Sequence, residues 1–501
     1  MPWLSVALVS IYPILVMIGV NLDEVIVQDV FPPIFLSLFL SLLIYWILFK
    51  VTNDNSKAGL ITISLLIFFY FYGHIFYGYV SGIHLGEVTI GRHRFFYPIW
   101  ILLFLSSIFL ILRLKKPLRS SIKFINYLTI FLVIVATIPI FINFVFEKNN
   151  VQNNVKNNVE MAKEDETNKD INMPNIYYIV LDGYASFDIL NDVYNFDNSI
   201  FKTSLESQGF FVADKSSANH SYTYLSLSSS LNMMYMDWLV KDNEINKTKL
   251  RELGSYIANN NVAKHLKKAG YKYITFDSGY STTSSTSFVA DLNVPCAPVS
   301  EFERILLRTT MLDPFFLYGG VRDTILCQFE TIGNIANSNA NFVFAHIVAP
   351  HPPFVFDSNG GKVGMNSGLN PWSDKNAFVE QTKFVNKKVL EAIKSIKENS
   401  KIEPIIIIQS DHGPASSGTE EMLDPSDLLI KERMRILNAY YVPENIKNKL
   451  YKEITPVNSF RLILSELLNL DIDLLKDVNW FTPIGQEVMI FNDVSKIVSY
   501  E

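Results

Sequence analysis

The sequence is poor in cysteine. Two residues in 501, Cys296 and Cys327, cannot build a four-thiolate zinc site or a disulfide-dense scaffold. Both lie in the second half of the chain, and the spacing leaves their pairing open. Charge is scarce too: 18% of the residues are Asp, Glu, Lys or Arg, and the formal net charge is −6. That balance lacks the basic surplus that a nucleic-acid partner requires. Histidine is thin, with eight in the chain and none beyond His412. No internal repeat is visible.

The most uneven absence is that of charge before residue 147. Five runs, 3–21, 31–49, 58–80, 97–112 and 124–146, contain no Asp, Glu, Lys or Arg. A membrane helix needs roughly 20 apolar residues, which makes 97–112 the marginal run. The first run lacks a basic segment ahead of it and a small-residue cleavage site before Asp23, so it is expected to be retained. Loops 50–57 and 113–123 carry Lys50, Lys57, Arg113, Lys115, Lys116, Arg119 and Lys123, against only Arg92 and Arg94 in loops 22–30 and 81–96. Excess Lys and Arg mark the cytoplasmic side. The N-terminus is then inside, and the chain beyond residue 147 is outside. Arg92 and Arg94, in "GRHRFF" (91–96), read as interfacial anchors at the head-group level, with a hold on a lipid phosphate as the alternative.

Residues 147–174 change abruptly to Asn, Glu, Lys and Asp, the composition of a linker. Val151, Val155 and Val159 recur every four residues, a spacing that would continue the fifth helix as a short stalk. The expected division is an anchor over 1–146, a linker or stalk over 147–174, and an extracytoplasmic domain over 175–501. In that last part, apolar β-rich runs at 175–182, 271–277, 341–349 and 404–410 alternate with helical candidates at 222–236, 258–269 and 373–399. Nearly continuous apolar strands separated by helices predict an α/β domain with a mainly parallel sheet covered on both faces.

Each strand candidate ends in polar residues, and ligands of open α/β sheets bind at the carboxyl ends of strands. Asp182, Asp277, the His346–His351 region and Asp411-His412 are thereby drawn to one edge. Carboxylates with an imidazole suit Zn²⁺ or Mn²⁺. A nucleophile is expected on a loop leading into a helix, and "SSANHSYTYLSLSSSLNM" (216–233) offers Ser221 and Thr223, both of which are also candidate N-caps. Ser226, Ser228, Ser229 and Ser230 lie where hydroxyls more often bond the backbone. His346, within an apolar run, reads as a hydrogen-bonded core residue. His351, in the stiff loop "PHPPFVFD", is better placed to touch a substrate.

"YYIVLDGYAS", a hydroxyl-bearing helix start, "PHPPFVFD" and "IIIIQSDHG" follow the order seen in the alkaline phosphatase and sulfatase superfamily. With the five-run anchor, the chain resembles the membrane-bound branch, the lipoteichoic acid synthases and phosphoethanolamine transferases. "ILNAYYVP" (436–443) and "TPVNSFRLIL" (455–464) are similar to later segments of that branch. The resemblance implies metal ligation by Asp182, Thr223, Asp411 and His412, with Thr223 as nucleophile and Ser221 as the fallback. At Asp182 the lipoteichoic acid synthases carry Glu. It implies substrate contact at His351 and one divalent ion, Mn²⁺ or Zn²⁺. Two-metal members use a histidine well beyond the Asp-His pair, which this chain lacks, so a second tightly held ion is not expected. His346, His351 and Asp277 are left as donors for a weaker site. The implied function is transfer of a phospho head group from a phospholipid donor to an envelope glycan or polymer, with hydrolysis on the same scaffold as the alternative. "CAPVS" (296–300) resembles the sulfatase Cys-x-Pro-Ser-Arg signature, but Val299 and Ser300 depart from it, and it falls far beyond the first strand.

Overall fold

The charge-free runs form five helices: α1 (Pro2–Val20), α2 (Val27–Thr52), α3 (Asn55–Ile75), α4 (His93–Arg113) and α5 (Arg119–Asn154). The computed structural model describes residues 2–20, 27–81, 83–85, 88–89, 91–114, 118–154, 173–240, 247–284, 289–297, 300–335, 340–363, 371–416, 424–483 and 490–500. All five helices are long and apolar enough to cross a membrane. Helix α4 starts at His93 and reaches 21 residues, so the run that is marginal by charge alone is long enough. Arg92 is its N-cap residue, and the Arg94 guanidinium lies 4.7 Å from the centre of the Phe95 ring. Helix α5 includes Val151, whereas Val155 and Val159 lie outside the described residues.

In lipid, apolar contact alone barely distinguishes one helix neighbour from another, and polar groups between helices add selectivity. Ser37 Oγ donates to Ser10 O at 2.8 Å and lies 2.7 Å from the Tyr70 hydroxyl, joining α2 to α1 and α3. Trp100 Nε1 of α4 donates to Phe68 O of α3 at 2.9 Å.

The chain forms two compact units: Met1–Lys169 with Val299–Leu317, and Asp170–Pro298 with Tyr318–Glu501. The sequence division keeps 175–501 whole, yet 299–317 packs among the helices of the first unit. Its short helix, Glu301–Thr309, opens with a capping box between Ser300 and Glu303. Phe302 and Leu306, four residues apart on one face, are buried with Val6, Ile14, Ile63, Leu66 and Tyr70. Met311 N–H donates to Phe69 O at 2.9 Å. Asp313, 1% exposed, accepts the Tyr77 hydroxyl at 2.7 Å, and burial pushes its carboxyl up to about 6. Gly73 permits the approach: a Cβ there would stand 1.9 Å from Arg308 O and 2.8 Å from Thr309 Cα.

The second unit is built on a seven-stranded sheet. Its strands are β1 (Ile176–Leu181), β2 (Phe211–Val212), β3 (Lys272–Phe276), β4 (Leu292–Val294), β5 (Asn341–Ile347), β6 (Ile405–Gln409) and β7 (Asn438–Tyr441), in the order β2-β7-β6-β1-β5-β3-β4. The run β6-β1-β5-β3-β4 is parallel; β7 pairs antiparallel with both β6 and β2. The helices that matter below are α6 (Thr223–Asn232), α7 (Asn261–Lys268), α8 (Lys375–Asn399), α9 (Asp427–Met434) and α10 (Pro456–Leu468).

Every residue of β1 is buried because the sheet is covered on both faces. Tyr177, Ile179 and Leu181 point into one core with Phe378, Val389 and Ile393 of α8. Ile176, Tyr178 and Val180 point into the other with Leu227 of α6, Leu266 of α7 and Phe460 of α10. Four strands and three helices appear where periodicity places them. The remaining strands, of two to four residues, are too short to leave a period. Cys296 and Cys327, left open by the sequence, are joined by a disulfide with Cα atoms 5.5 Å apart.

Replacing Gly73 by Ala should loosen the segment 299–317 at a cost of about 1–3 kcal/mol, the usual range for overpacking. Limited trypsin digestion of the full chain should then cut at Arg304 and Arg308 about 5- to 100-fold faster than in the wild type. An unchanged cleavage rate would contradict the packing described.

Candidate active site

Side chains that follow parallel strands meet at one edge because the register is shared. Leu181 is level with Ile347 of β5, and Val180 with Gln409 of β6. Asp182 therefore leaves β1 alongside Ser410-Asp411 leaving β6. The Asp182 amide donates to Ile347 O, and its carbonyl accepts the His351 amide, both at 3.0 Å. Ser410 holds the two strand ends together: its Oγ accepts Tyr184 N–H at 2.9 Å and lies 2.7 Å from the carbonyl oxygens of both Leu181 and His412. Gly183 N–H donates to Asp411 Oδ1 at 3.2 Å. Gly183 has φ +74, and a Cβ there would lie 2.7 Å from Trp372 Cη2, so the turn after Asp182 requires glycine.

His412 has a defined tautomer. Its Nδ1–H donates to Gly413 O at 3.0 Å, which leaves the Nε2 lone pair facing the site. Nε2 lies 3.1 Å from Thr223 Oγ1, 3.3 Å from Asp411 Oδ2 and 3.7 Å from Asp182 Oδ1. The Thr223 hydroxyl is thus the donor to Nε2. Thr223 is the first residue of α6, and Tyr222 takes the N-cap position without a side-chain cap. Its hydroxyl reaches His412. The Ser221 hydroxyl is taken up by the backbone of Thr482, accepting its amide at 3.0 Å. Deeper in α6, Ser226 Oγ donates to Asp411 O at 2.7 Å, and Ser228 and Ser230 bond the carbonyls of Leu253 and Ser226.

His346 is not the bystander that an apolar strand suggests. Its Nδ1 pairs with Thr283 Oγ1 at 2.8 Å, and Nε2 lies 3.4 Å from Asp182 Oδ2. Among the described residues, Asp182, His346 and Asp411 form a group whose ligand atoms all lie within 4.8 Å of one another. Three buried atoms there, Asp182 Oδ1, Asp411 Oδ2 and His346 Nε2, have no hydrogen-bond partner among the described residues. Each such orphan costs about 1–3 kcal/mol, and more when charged. Two carboxylates, two imidazole nitrogens and a hydroxyl form a donor set that a divalent cation would satisfy. The sequence signal was available: a strand buried on both faces has no solvent side for an imidazole to occupy.

Burial alone would raise the Asp182 carboxyl. The imidazoles of His351, His346 and His412 outweigh that and hold it below the usual carboxylate range. Asp411 is pushed up to about 7, by burial first and by the charge of Asp182 second. His412 is held well below the ordinary imidazole value, chiefly by burial and next by Arg433. Of the two carboxyls, Asp411 is therefore the one that takes a proton more readily, and burial disfavours a second proton on His412.

His351 is half-buried, its Nδ1–H donating to Pro352 O at 2.6 Å and its ring edge-on to Trp372 at 4.8 Å. Its ring centre lies 6.4 Å from that of His412. Asp277 is occupied by its own turn, its Oδ1 accepting Gly279 N–H at 2.9 Å, and stands outside the Asp182–His346–Asp411 group.

No model of a known protein family matches the chain, and no curated protein does. Solved structures do resemble it. The C-terminal periplasmic domain of EcEptC from Escherichia coli is 14% identical and covers 65% of this chain and 94% of its own, at TM-score 0.43. That domain is also known in complex with Zn. The integral membrane lipooligosaccharide phosphoethanolamine transferase A (EptA) from Neisseria meningitidis is 12% identical, covering 92% of this chain and 95% of its own at TM-score 0.39. BT1596, a 2-O GAG sulfatase, is 14% identical, covering 65% and 86% at TM-score 0.39. The structural neighbours are thus phosphoethanolamine transferases and sulfatases; with these TM-scores below 0.5 the likeness is one of arrangement, and the chemistry stands on the site's own atoms.

Proposed function

We propose that the chain is a membrane-anchored, metal-dependent phosphotransferase. It moves a phospho head group, of the phosphoglycerol or phosphoethanolamine type, from a phospholipid to a cell-envelope glycan or polymer. The observation that carries this reading is the buried Thr223 hydroxyl 3.1 Å from His412 Nε2, beside the carboxyl groups of Asp182 and Asp411. A threonine hydroxyl is a weak nucleophile until a base or a cation activates it. In this reading Asp182, Thr223, Asp411 and His412 hold one divalent ion, Zn²⁺ or Mn²⁺, with His346 as a further donor. Such an ion lowers the pKa of the hydroxyl and offsets charge on the phosphoryl oxygens.

Thr223 Oγ gives up its proton as it attacks phosphorus, the bond to the diacylglycerol oxygen breaks, and that oxygen takes up one proton in turn, so that diacylglycerol departs as the alcohol. The head group then rests on Thr223 as a phosphothreonine. An acceptor hydroxyl attacks the same phosphorus, and cleavage of the bond to Thr223 restores the side chain. His351, whose Nδ1 is committed to Pro352, leaves Nε2 for the substrate and in this reading helps to offset charge on the phosphoryl oxygens. Cys296 is held in a disulfide, so it is not free to supply the formylglycine nucleophile of sulfate-ester hydrolysis. That disulfide favours an oxidising compartment, and supports a periplasmic or extracellular domain with the N-terminus in the cytoplasm. Five membrane-length helices confine the chain to the surface where a phospholipid donor lies.

Incubation of the full chain with membrane phospholipids, followed by mass spectrometry, should find the head-group mass on the peptide containing Thr223. Thr223→Ala should carry no adduct, melt at the wild-type temperature and lose about 10⁴-fold or more in turnover, as removal of a nucleophile does. Turnover at the wild-type rate would refute the assignment. A product consisting of free head group, with no modified glycan, would convert the transferase into a hydrolase.

Metal binding must expel the Asp411 proton, whose pKa is pushed up to about 7. The apparent Zn²⁺ affinity should therefore fall about tenfold per pH unit below about pH 7 and level off above it. Competition with a chromophoric chelator between about pH 5.5 and pH 8 measures this, and a flat profile would contradict the ligand role of Asp411.

A further inference from the structure

Arg433, on α9, is 6% exposed, although the run "KERMR" around it looks like a solvated face. Its Nε–H donates to Ser221 O and its Nη1–H to Gly413 O, both at 2.8 Å. Its own carbonyl accepts Gly413 N–H at 2.7 Å. Ser221 lies two residues before Thr223, and Gly413 directly follows His412. One guanidinium therefore holds the chain that enters α6 and the chain that leaves the Asp411-His412 pair. The neighbouring Glu432 secures the next part of the same loop, its Oε1 accepting Ser416 N–H at 2.7 Å. The Asp411, Asp182 and Glu432 carboxylates lie near enough to offset the buried positive charge.

We propose that Arg433 is a positioning residue, setting the spacing between the Thr223 hydroxyl and the His412 imidazole by tying their two loops together. The inference rests on the reading of Thr223 as nucleophile. A planar fork with fixed donors does this where a lysine ammonium, a single point charge on a flexible stem, would satisfy only part of it. Arg433 touches neither of the two reacting partners. Besides the charge it places near His412 and Asp411, its role here is to set distance, and a displacement of about 1 Å at reacting atoms can cost about 10²-fold in rate.

The test uses the full chain in detergent, as wild type, Arg433→Lys, Arg433→Met and Thr223→Ala. Amide hydrogen exchange of the metal-free proteins comes first. Arg433→Met should exchange about tenfold or more faster in 219–225 and 411–416 together, while β6 stays protected as in the wild type. Arg433→Lys should fall between the two. Turnover of bis(4-nitrophenyl) phosphate with added Zn²⁺ comes second. There kcat should fall about 10²-fold in Arg433→Met and about 10-fold in Arg433→Lys, with KM within about threefold of wild type. Wild-type exchange in both loops, or an unchanged kcat, overturns the proposal. So does a uniform rise in exchange that includes β6, which is the mark of general destabilisation. If Arg433→Met does not fold, Arg433→Lys alone decides, since it keeps the charge and loses the fork. Coordinated loosening of the two loops, with Thr223→Ala still turning over at the wild-type rate, would leave the tie standing and remove the nucleophile.

Discussion

Two carboxylates, Asp182 and Asp411, are buried side by side at the ends of adjacent parallel strands, each 2% exposed. Unscreened like charges that close cannot both persist without a cation or a proton. The surroundings answer that constraint. Three imidazoles, His346, His351 and His412, act on Asp182, and the Arg433 guanidinium acts on Asp411. The Thr223 hydroxyl enters at the same point through His412. The proposed chemistry uses this concentration of acidic groups, which would hold a divalent ion where it could activate an alcohol.

The sheet makes the pocket rigid. Asp182 and Asp411 emerge from strands whose residues are all buried, with apolar cores on both faces. Neither carboxyl group can shift far without moving a strand. Ser410 fastens the two strand ends, and Ser226 ties α6 to the Asp411 carbonyl. Sites held by strands and helices are more precise than sites held by loops. The half-buried His351, on its proline-rich loop, stands outside this frame, which suits the substrate contact proposed for it.

Much of this was legible in the sequence because buried parallel strands leave an unmistakable trace. "IIIIQSDHG" and "IYYIVLD" declare both the strand and the polar residue that follows it. Thr223 and Ser221 could not be separated by position, since both precede or open a helix. The Thr482 backbone, which arrives from a distant part of the chain, occupies the Ser221 hydroxyl, while the Thr223 hydroxyl lies beside His412. His346 is the buried, hydrogen-bonded strand residue that its apolar run predicts, and what the run does not declare is that its Nε2 faces Asp182. The segment 299–317 was hidden for another reason. Glu301–Thr309 has the charge of any surface helix, and nothing local says that Phe302 and Leu306 are buried among membrane-length helices. Arg433 was invisible for the same cause.

The central claim is that one divalent ion joins Asp182, Asp411, His412 and Thr223. Crystals of the full chain grown with Zn²⁺, with diffraction recorded across the zinc absorption edge, test it most directly. The account predicts one strong anomalous peak among these four side chains, with ligand distances of about 2.0–2.2 Å to oxygen and nitrogen. An anomalous map without a peak there, or with the ion bound away from Asp411 and His412, would contradict it.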